Sequence, residues 1–283
     1  MYIDMTQFSV LMSVYYKEQA EYLDKALESI LENQTLKPSE LVLVADGQLT
    51  DELYRTIDKY KELFCNLKLV QLPQNVGLGK ALNEGLKHCS YEWVARMDSD
   101  DISMPERFER QFEYLKSHPE IDVLGTALSE FDNNPSEITA IKKCPPVIDS
   151  YIKFRSPLNH ATVIYKKSAV LSAGGYMHCP YMEDYHLWIR MYSVGCIFTS
   201  LNNSLYLCKM DSDTFQRRGG KQYVRSEYQI QKLLLSNKII SYPKFLLNVV
   251  IRCSARIIPN SLRAFIYKRF LRSVLNGSSR TYP

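Results

Sequence analysis

An alternation repeated through the first hundred residues limits what this chain can fold into. Short apolar runs, "FSVLMSV" (8–14), "ELVLVAD" (40–46), "LKLVQL" (67–72) and "YEWVARM" (91–97), are separated by stretches with apolar residues at helical spacing. Those stretches carry Leu23, Ala26, Leu27, Ile30 and Leu31, then Leu53, Ile57, Tyr60 and Phe64, then Leu78, Ala81, Leu82 and Leu86. The runs are continuous rather than alternating, so each strand is covered on both faces, as strands of a parallel sheet between helices are. The expectation is an α/β fold with a mostly parallel sheet flanked by helices. In such sheets ligands sit beyond the carboxyl ends of the strands. That edge collects Tyr15, Asp46, Asn75 and the cluster Asp98, Asp100 and Asp101.

After about residue 120 the alternation loosens. "DVLGTAL" (122–128) and "HATVIYKK" (160–167) read as strands, and 132–150, with three prolines, reads as loop. One helix is expected from near Glu183 to Gly195, and a longer one from about Gln216 to Asn237.

Three carboxylates within four residues repel one another, so the cluster needs a reason. Helix capping is one, but a helix beginning near Pro105 has its own capping box in Ser103 and Glu106, which leaves the aspartates spare. A hard divalent cation is the other, since it takes oxygen ligands and uses few protein carboxylates when phosphates complete its shell. At a strand end, Asp98 and Asp100 turn to the same side.

Charge divides the chain unevenly. From Tyr228 to Pro283 there are ten Lys or Arg and no Asp or Glu; subtracting these from the totals of 35 and 31 leaves 25 basic against 31 acidic residues in 1–227. A tail of this kind suits an anionic surface, whereas the acidic body disfavours nucleic acid. The expected organisation is one body at 1–227, whose halves, to about 120 and from about 121, would be nucleotide-binding and acceptor-binding parts of a catalytic domain by the family resemblance that follows, and then a basic, amphipathic helical region at 228–283. Within that region Leu262, Phe265, Ile266 and Phe270 fall on one helical stripe. Seven cysteines without a CxxC pair argue against a disulfide framework and for a reducing compartment. The N-terminus shows no basic segment before an apolar stretch, so no secretory signal is expected, and no run of 18 apolar residues suggests a transmembrane helix.

The ordered set "SVLMSVYYKE", "LVLVADG", "NVGLGKALNEGL", "ARMDSDD" and "MEDYHLWIRM" resembles the family 2 inverting glycosyltransferases of GT-A fold, over roughly residues 8–230. It is most similar to bacterial members that extend O-antigen or exopolysaccharide repeat units. The resemblance implies a nonprocessive enzyme that moves one sugar, galactose or glucose, from a UDP-sugar to a polyprenyl-diphosphate-linked acceptor. Its place would be the cytoplasmic face of the bacterial plasma membrane, held peripherally. By that resemblance "DSDD" is the DxD motif, in which Asp98, Ser99 and Asp100 engage the nucleotide sugar and Asp100 and Asp101 approach Mn2+ or Mg2+. Tyr15 packs beside the base, Asp46 accepts from uracil, Asn75 shapes a turn, and Lys80 reaches uracil or phosphate. Asp184 is the general base with Glu183 beside it. His160 falls on the acceptor side. Lys209 stands where relatives place a metal-ligating histidine or a basic residue, and Arg217 and Arg218 offer a basic loop for a diphosphate. Two other readings stay open at this point: a sugar nucleotidyltransferase, for which the first strand lacks a glycine-rich basic signature, and a nonenzymatic nucleotide- or anion-binding module.

Overall fold

The structure, a computed structural model, describes residues 7–145, 147–210 and 220–257, with side chains through Arg252. Its first half is the expected alternation: β1 (Phe8–Val14), α1 (Ala20–Leu31), β2 (Glu40–Ala45), α2 (Asp51–Leu63), β3 (Leu67–Gln71), α3 (Leu78–His88) and β4 (Trp93–Met97). These four strands pair in parallel, and the register aligns Val14 with Ala45 and Met12 with Met97. Their carboxyl ends therefore lie together, and the next residues, Tyr15, Asp46 and Asp98, share one edge.

Burial on both faces explains the continuous apolar runs. Leu11, Val42, Val44 and Val94 face one core with α3 and the later helices. Val10, Met12, Leu41, Leu43 and Ala95 face a second core with α1, α2 and the helix that carries Phe108, Phe112 and Leu115. A polar residue at any of these positions would be buried on one side or the other, so the strands carry almost none.

The second half closes the sheet with mixed pairing. It comprises β5 (Ile102–Ser103), α4 (Arg107–Ser117), β6 (Val123–Phe131), β7 (Ile138–Lys142), α5 (Ile148–Tyr151), a 3-10 turn (His160–Thr162), β8 (Ile164–Lys166), α6 (Lys167–Ser172), α7 (Glu183–Ser193), β9 (Phe198–Lys209), α8 (Lys221–Ser236) and α9 (Tyr242–Ile257). The strand order is β3-β2-β1-β4-β8-β6-β9-β5, with β7 on β6. Short β8 is antiparallel to both β4 and β6, while β6 and β9 are parallel.

Four expectations change. Residues 132–150 are not all loop, because β7 pairs with β6 as a largely exposed edge strand that tolerates the prolines around it. Only Ile164–Lys166 of 160–167 is strand. The Ser103–Glu106 capping box does not form. Ser103 lies in β5, its N–H donates to Ser29 Oγ at 3.1 Å, and its hydroxyl accepts from Gln34 Nε2 at 3.2 Å. The first turn of α4 is met instead by Gln34, whose Oε1 accepts from Phe108 N–H at 3.4 Å. Capping of α4 therefore does not account for the aspartates, for a different reason from the one the sequence offers.

The fourth concerns the boundary at 227. Helix α8 runs through that position without a break, and Ile230, Leu234, Ile240 and Phe245 share a core with Leu187 and Trp188 of α7. Glu227 is fully buried and pairs with Arg252 of α9. The described part of the C-terminal region is thus packed onto the preceding unit, because its inward face is apolar and its Arg252 finds the buried Glu227 carboxylate. Residues 211–219 and the stripe at 262–270 lie outside the described residues. None of the six described cysteines is in a disulfide.

Candidate active site

The chain leaves β4 at Met97, turns through Asp98–Asp101, and enters β5, which pairs antiparallel with β9 so that Ile102 faces Leu207. That pairing decides where Asp101 goes. Its Oδ1 accepts the backbone N–H of Lys209 at 2.7 Å and the residue is 2% exposed, so this carboxylate fastens the turn to β9. Asp98 pairs with the guanidinium of Arg96, a fully buried side chain on β4 that also donates to the Met97 carbonyl. The Asp98 N–H donates to Tyr206 Oη at 3.2 Å.

Asp100 is half-buried. Burial, with Asp98 and Glu18 adding to it, pushes its carboxyl up to about 7. The Ser99 hydroxyl donates to Glu18 Oε2 at 2.7 Å, which brings a further carboxylate from the β1–α1 turn to the cluster. The Lys209 ammonium rests 3.7 Å from the centre of the Tyr22 ring and its charge favours ionised Asp100. Among the described residues no three His, Cys, Asp or Glu side chains are gathered closely enough to hold a metal ion by themselves.

At the end of β2, Asp46 accepts from Val76 N–H at 2.7 Å and Gly77 N–H at 3.0 Å, one bond to each carboxylate oxygen. Asn75 Nδ2 reaches the Asp46 carbonyl at 3.3 Å. Gly47 has φ +89, and a Cβ there would stand 2.7 Å from Asn75 N, so glycine is required for the two turns to meet. Asp46 thus builds the turn that opens α3, and each oxygen keeps acceptor capacity. Tyr15 is half-buried and edge-on to Tyr16. Lys80 is exposed and lines a groove beside β3 with Lys68, Val70, Glu84 and His88, which is not the side of α3 that meets the other carboxylates.

Gly79 lies on that side. A Cβ on it would fall 2.8 Å from Glu183 Cγ, so the start of α3 rests directly on the start of α7. Burial pushes the Glu183 carboxyl up to about 7, with neighbouring Asp184 adding to it. Burial also raises Asp184, while the Ser156 hydroxyl, donating to its Oδ2 at 2.8 Å, works the other way. Tyr176 is near enough to both groups to feel the charge of Asp184 and of Asp98. Its N–H donates to Asn83 Oδ1 at 3.0 Å, and its hydroxyl lies 2.9 Å from His160 Nε2. Burial first, and Arg96 second, keep His160 neutral.

The structure therefore brings Asp98, Ser99, Asp100, Glu183, Asp184, His160 and the Lys209 ammonium to one region, turns Asp101 inward, and sets Lys80 to one side. Arg217 and Arg218 lie outside the described residues. Sequence reasoning passed over Glu18, Arg96, Tyr176 and Ser156. Arg96 alone left a clear signal, being a charged residue inside an apolar run.

A parallel-sheet edge carrying an Asp-x-Asp turn, with a second carboxylate pair at the start of α7, fits a glycosyltransferase of GT-A fold. The chain belongs to glycosyl transferase family 2, whose model matches residues 9–174. It is 41% identical over 265 residues to the amylovoran biosynthesis glycosyltransferase AmsE of Erwinia amylovora, covering 93% of this chain and 98% of the relative. It is 37% identical over 274 residues to an Escherichia coli UDP-Gal:alpha-D-GlcNAc-diphosphoundecaprenol beta-1,3-galactosyltransferase, covering 96% and 99%. Residues 1–349 of TarS from S. aureus, solved in complex with UDP-GlcNAc, superpose with a TM-score of 0.65 at 21% identity, covering 94% of this chain and 76% of that one.

Proposed function

We propose that this glycosyltransferase moves one hexose, galactose in the first instance, from a UDP-sugar to a saccharide on a polyprenyl diphosphate, with inversion, while building an O-antigen or exopolysaccharide repeat unit. The observation that carries the reading is the Asp98–Asp100 turn at the carboxyl edge of the parallel strands, together with the Glu183–Asp184 pair at the start of α7, which rests against the start of α3 at Gly79. The likeness to the E. coli galactosyltransferase supports the donor and the lipid-linked acceptor.

Inverting transfer needs one base on the acceptor side. Asp184 is that base: ionised, it removes the acceptor hydroxyl proton as that oxygen attacks the anomeric carbon. Glu183, on the same turn, disfavours a doubly ionised pair and strengthens the base. Asp46 and Tyr15 receive the uracil at the ends of β2 and β1.

A hard divalent cation uses few protein carboxylates when phosphates complete its shell, and Asp98 and Asp100 offer such oxygens at the sheet edge, with the Glu18 charge nearby. Asp98 and Asp100 would hold it, and Mn2+ or Mg2+ would act as a Lewis acid on the departing diphosphate. Arg96 fixes Asp98 from beneath, and Asp101 holds the turn against β9.

A membrane location suits a lipid-linked acceptor. Among the described residues no helix is long and apolar enough to cross a bilayer. Helix α9, however, turns Phe245 and Asn248 inward and exposes Tyr242, Leu246, Leu247, Val250 and Ile251 outward. With ten basic and no acidic residues from Tyr228 onward, this favours peripheral docking on an anionic cytoplasmic leaflet.

Calorimetry of UDP in Mn2+ and then in EDTA tests the donor site. Binding should need the metal and be lost in Asp100→Ala; equal affinity without metal would remove the DxD assignment.

A further inference from the structure

Ser156 has one hydroxyl proton and two acceptors within reach, Asp184 Oδ2 at 2.8 Å and the Leu158 carbonyl at 3.2 Å. It can serve only one at a time. We propose that Ser156 is the positioning residue of the base and exchanges partners with its charge, donating to Asp184 while the carboxylate is ionised and to Leu158 O once Asp184 is protonated. The inference rests on Asp184 being the base.

The surroundings keep the hydroxyl in place for both states. Leu158 is 3% exposed and packs over Gly125, where a Cβ would stand 3.1 Å from its Cδ2. Asn159 Nδ2 donates to the carbonyls of Thr126 and Lys142, which ties the loop to β6 and β7. From the other side Tyr185, next to the base, donates its hydroxyl to Ile152 O at 2.5 Å. The 152–159 loop is thus held to the first turn of α7 at one end and to β6 and β7 at the other, so a turn of the Ser156 hydroxyl needs no backbone movement.

The proton count closes. The acceptor O–H bond breaks and its proton passes to the Asp184 carboxylate. The oxygen's electron pair forms the new bond to the anomeric carbon, whose old bond to the diphosphate breaks with its pair leaving on the nucleoside diphosphate. Protonated Asp184 no longer needs a donor, and Ser156 turns to Leu158 O, which lets its oxygen accept from the carboxylic acid. The hydroxyl thus favours the ionised base before transfer without opposing its protonation afterwards.

The test is the pH dependence of the single-turnover rate in wild type, Ser156→Ala, Ser156→Thr and Asp184→Asn. A hydrogen bond to a charged group is worth enough to move a carboxylate by about one pH unit. Ser156→Ala should therefore shift the acid limb up by about one unit, with the rate recovering at high pH, and Ser156→Thr should restore the wild-type limb. UDP affinity, measured alongside, should match wild type, and the melting temperature at high pH should fall by no more than about 5 °C, as the loss of one pH unit of carboxylate stabilisation requires. An unshifted acid limb in Ser156→Ala, with Asp184→Asn inactive, overturns the inference and leaves the base in place. An active Asp184→Asn removes the base assignment itself and the inference with it.

Discussion

Replacing Gly79 with alanine should separate stability from catalysis. In a helix, alanine is favoured over glycine by about 1 kcal/mol. Here the added Cβ would stand 2.8 Å from Glu183 Cγ, 3.4 Å from Glu183 Cβ and 3.5 Å from the Met177 carbonyl. Resting carbon–carbon contacts are about 3.5–4.0 Å, so the overlap with Cγ is roughly 0.7 Å or more. The atom in the way is on a side chain, and displacing it from its rotamer costs about 0.5–1.5 kcal/mol. The two effects nearly cancel, and the melting temperature should stay within about 4 °C of wild type. Transfer should not survive so well, because Glu183 and Asp184 move together and a displacement near 1 Å can cost on the order of 10²-fold in rate. Gly85→Ala, on the same helix, is the contrast. Its Cβ meets Leu11 Cδ1 and Val44 Cγ2 at 2.5 Å, both in the core, so overpacking of about 1–3 kcal/mol should lower the melting temperature. Melting curves, UDP calorimetry and transfer rates on both variants decide the matter. A Gly79→Ala protein that transfers at the wild-type rate would refute the claim that α3 sets the position of the acidic pair.

Two further outcomes follow from the same geometry. Glu183 has its folded pKa raised from 4.5 to about 7, so the folded state holds its proton more tightly than the unfolded chain, and its contribution to stability falls as pH rises from about 4.5 through 7. Glu183→Gln should therefore melt higher than wild type at pH 8, with the difference shrinking toward pH 4.5; a constant difference across that range would contradict the shift. On the outer face of α9, Leu246→Asp with Leu247→Asp should abolish cosedimentation with anionic vesicles while leaving the melting temperature unchanged, since both side chains are about half exposed. Undiminished sedimentation would place the membrane contact elsewhere.

The parallel half of the sheet was legible because β1, β2 and β4 are buried on both faces and each intervening helix on one, which leaves a plain pattern in residue order. The second half was less so. β7 is an exposed edge strand without an apolar run, and β5 is two residues long and exists through its pairing with β9. Asp101 illustrates the limit at the site: residue spacing placed it with Asp98 and Asp100, but the N–H that claims its carboxylate belongs to Lys209, 108 residues away. Ser156 and Asp184 likewise meet only through the fold, at a separation of 28 residues. Arg96 was visible as a charge in a buried strand, and its partner two residues on explains how that charge is accommodated.

The stereochemistry of transfer tests the account most directly. The protein would be incubated with UDP-galactose, whose anomeric bond is α, with Mn2+ and a synthetic GlcNAc-diphospho-lipid, and the new linkage read from its anomeric proton coupling. Direct attack assisted by one base predicts release of UDP and a β-linked disaccharide lipid, lost in Asp184→Asn. An α-linked product would contradict it.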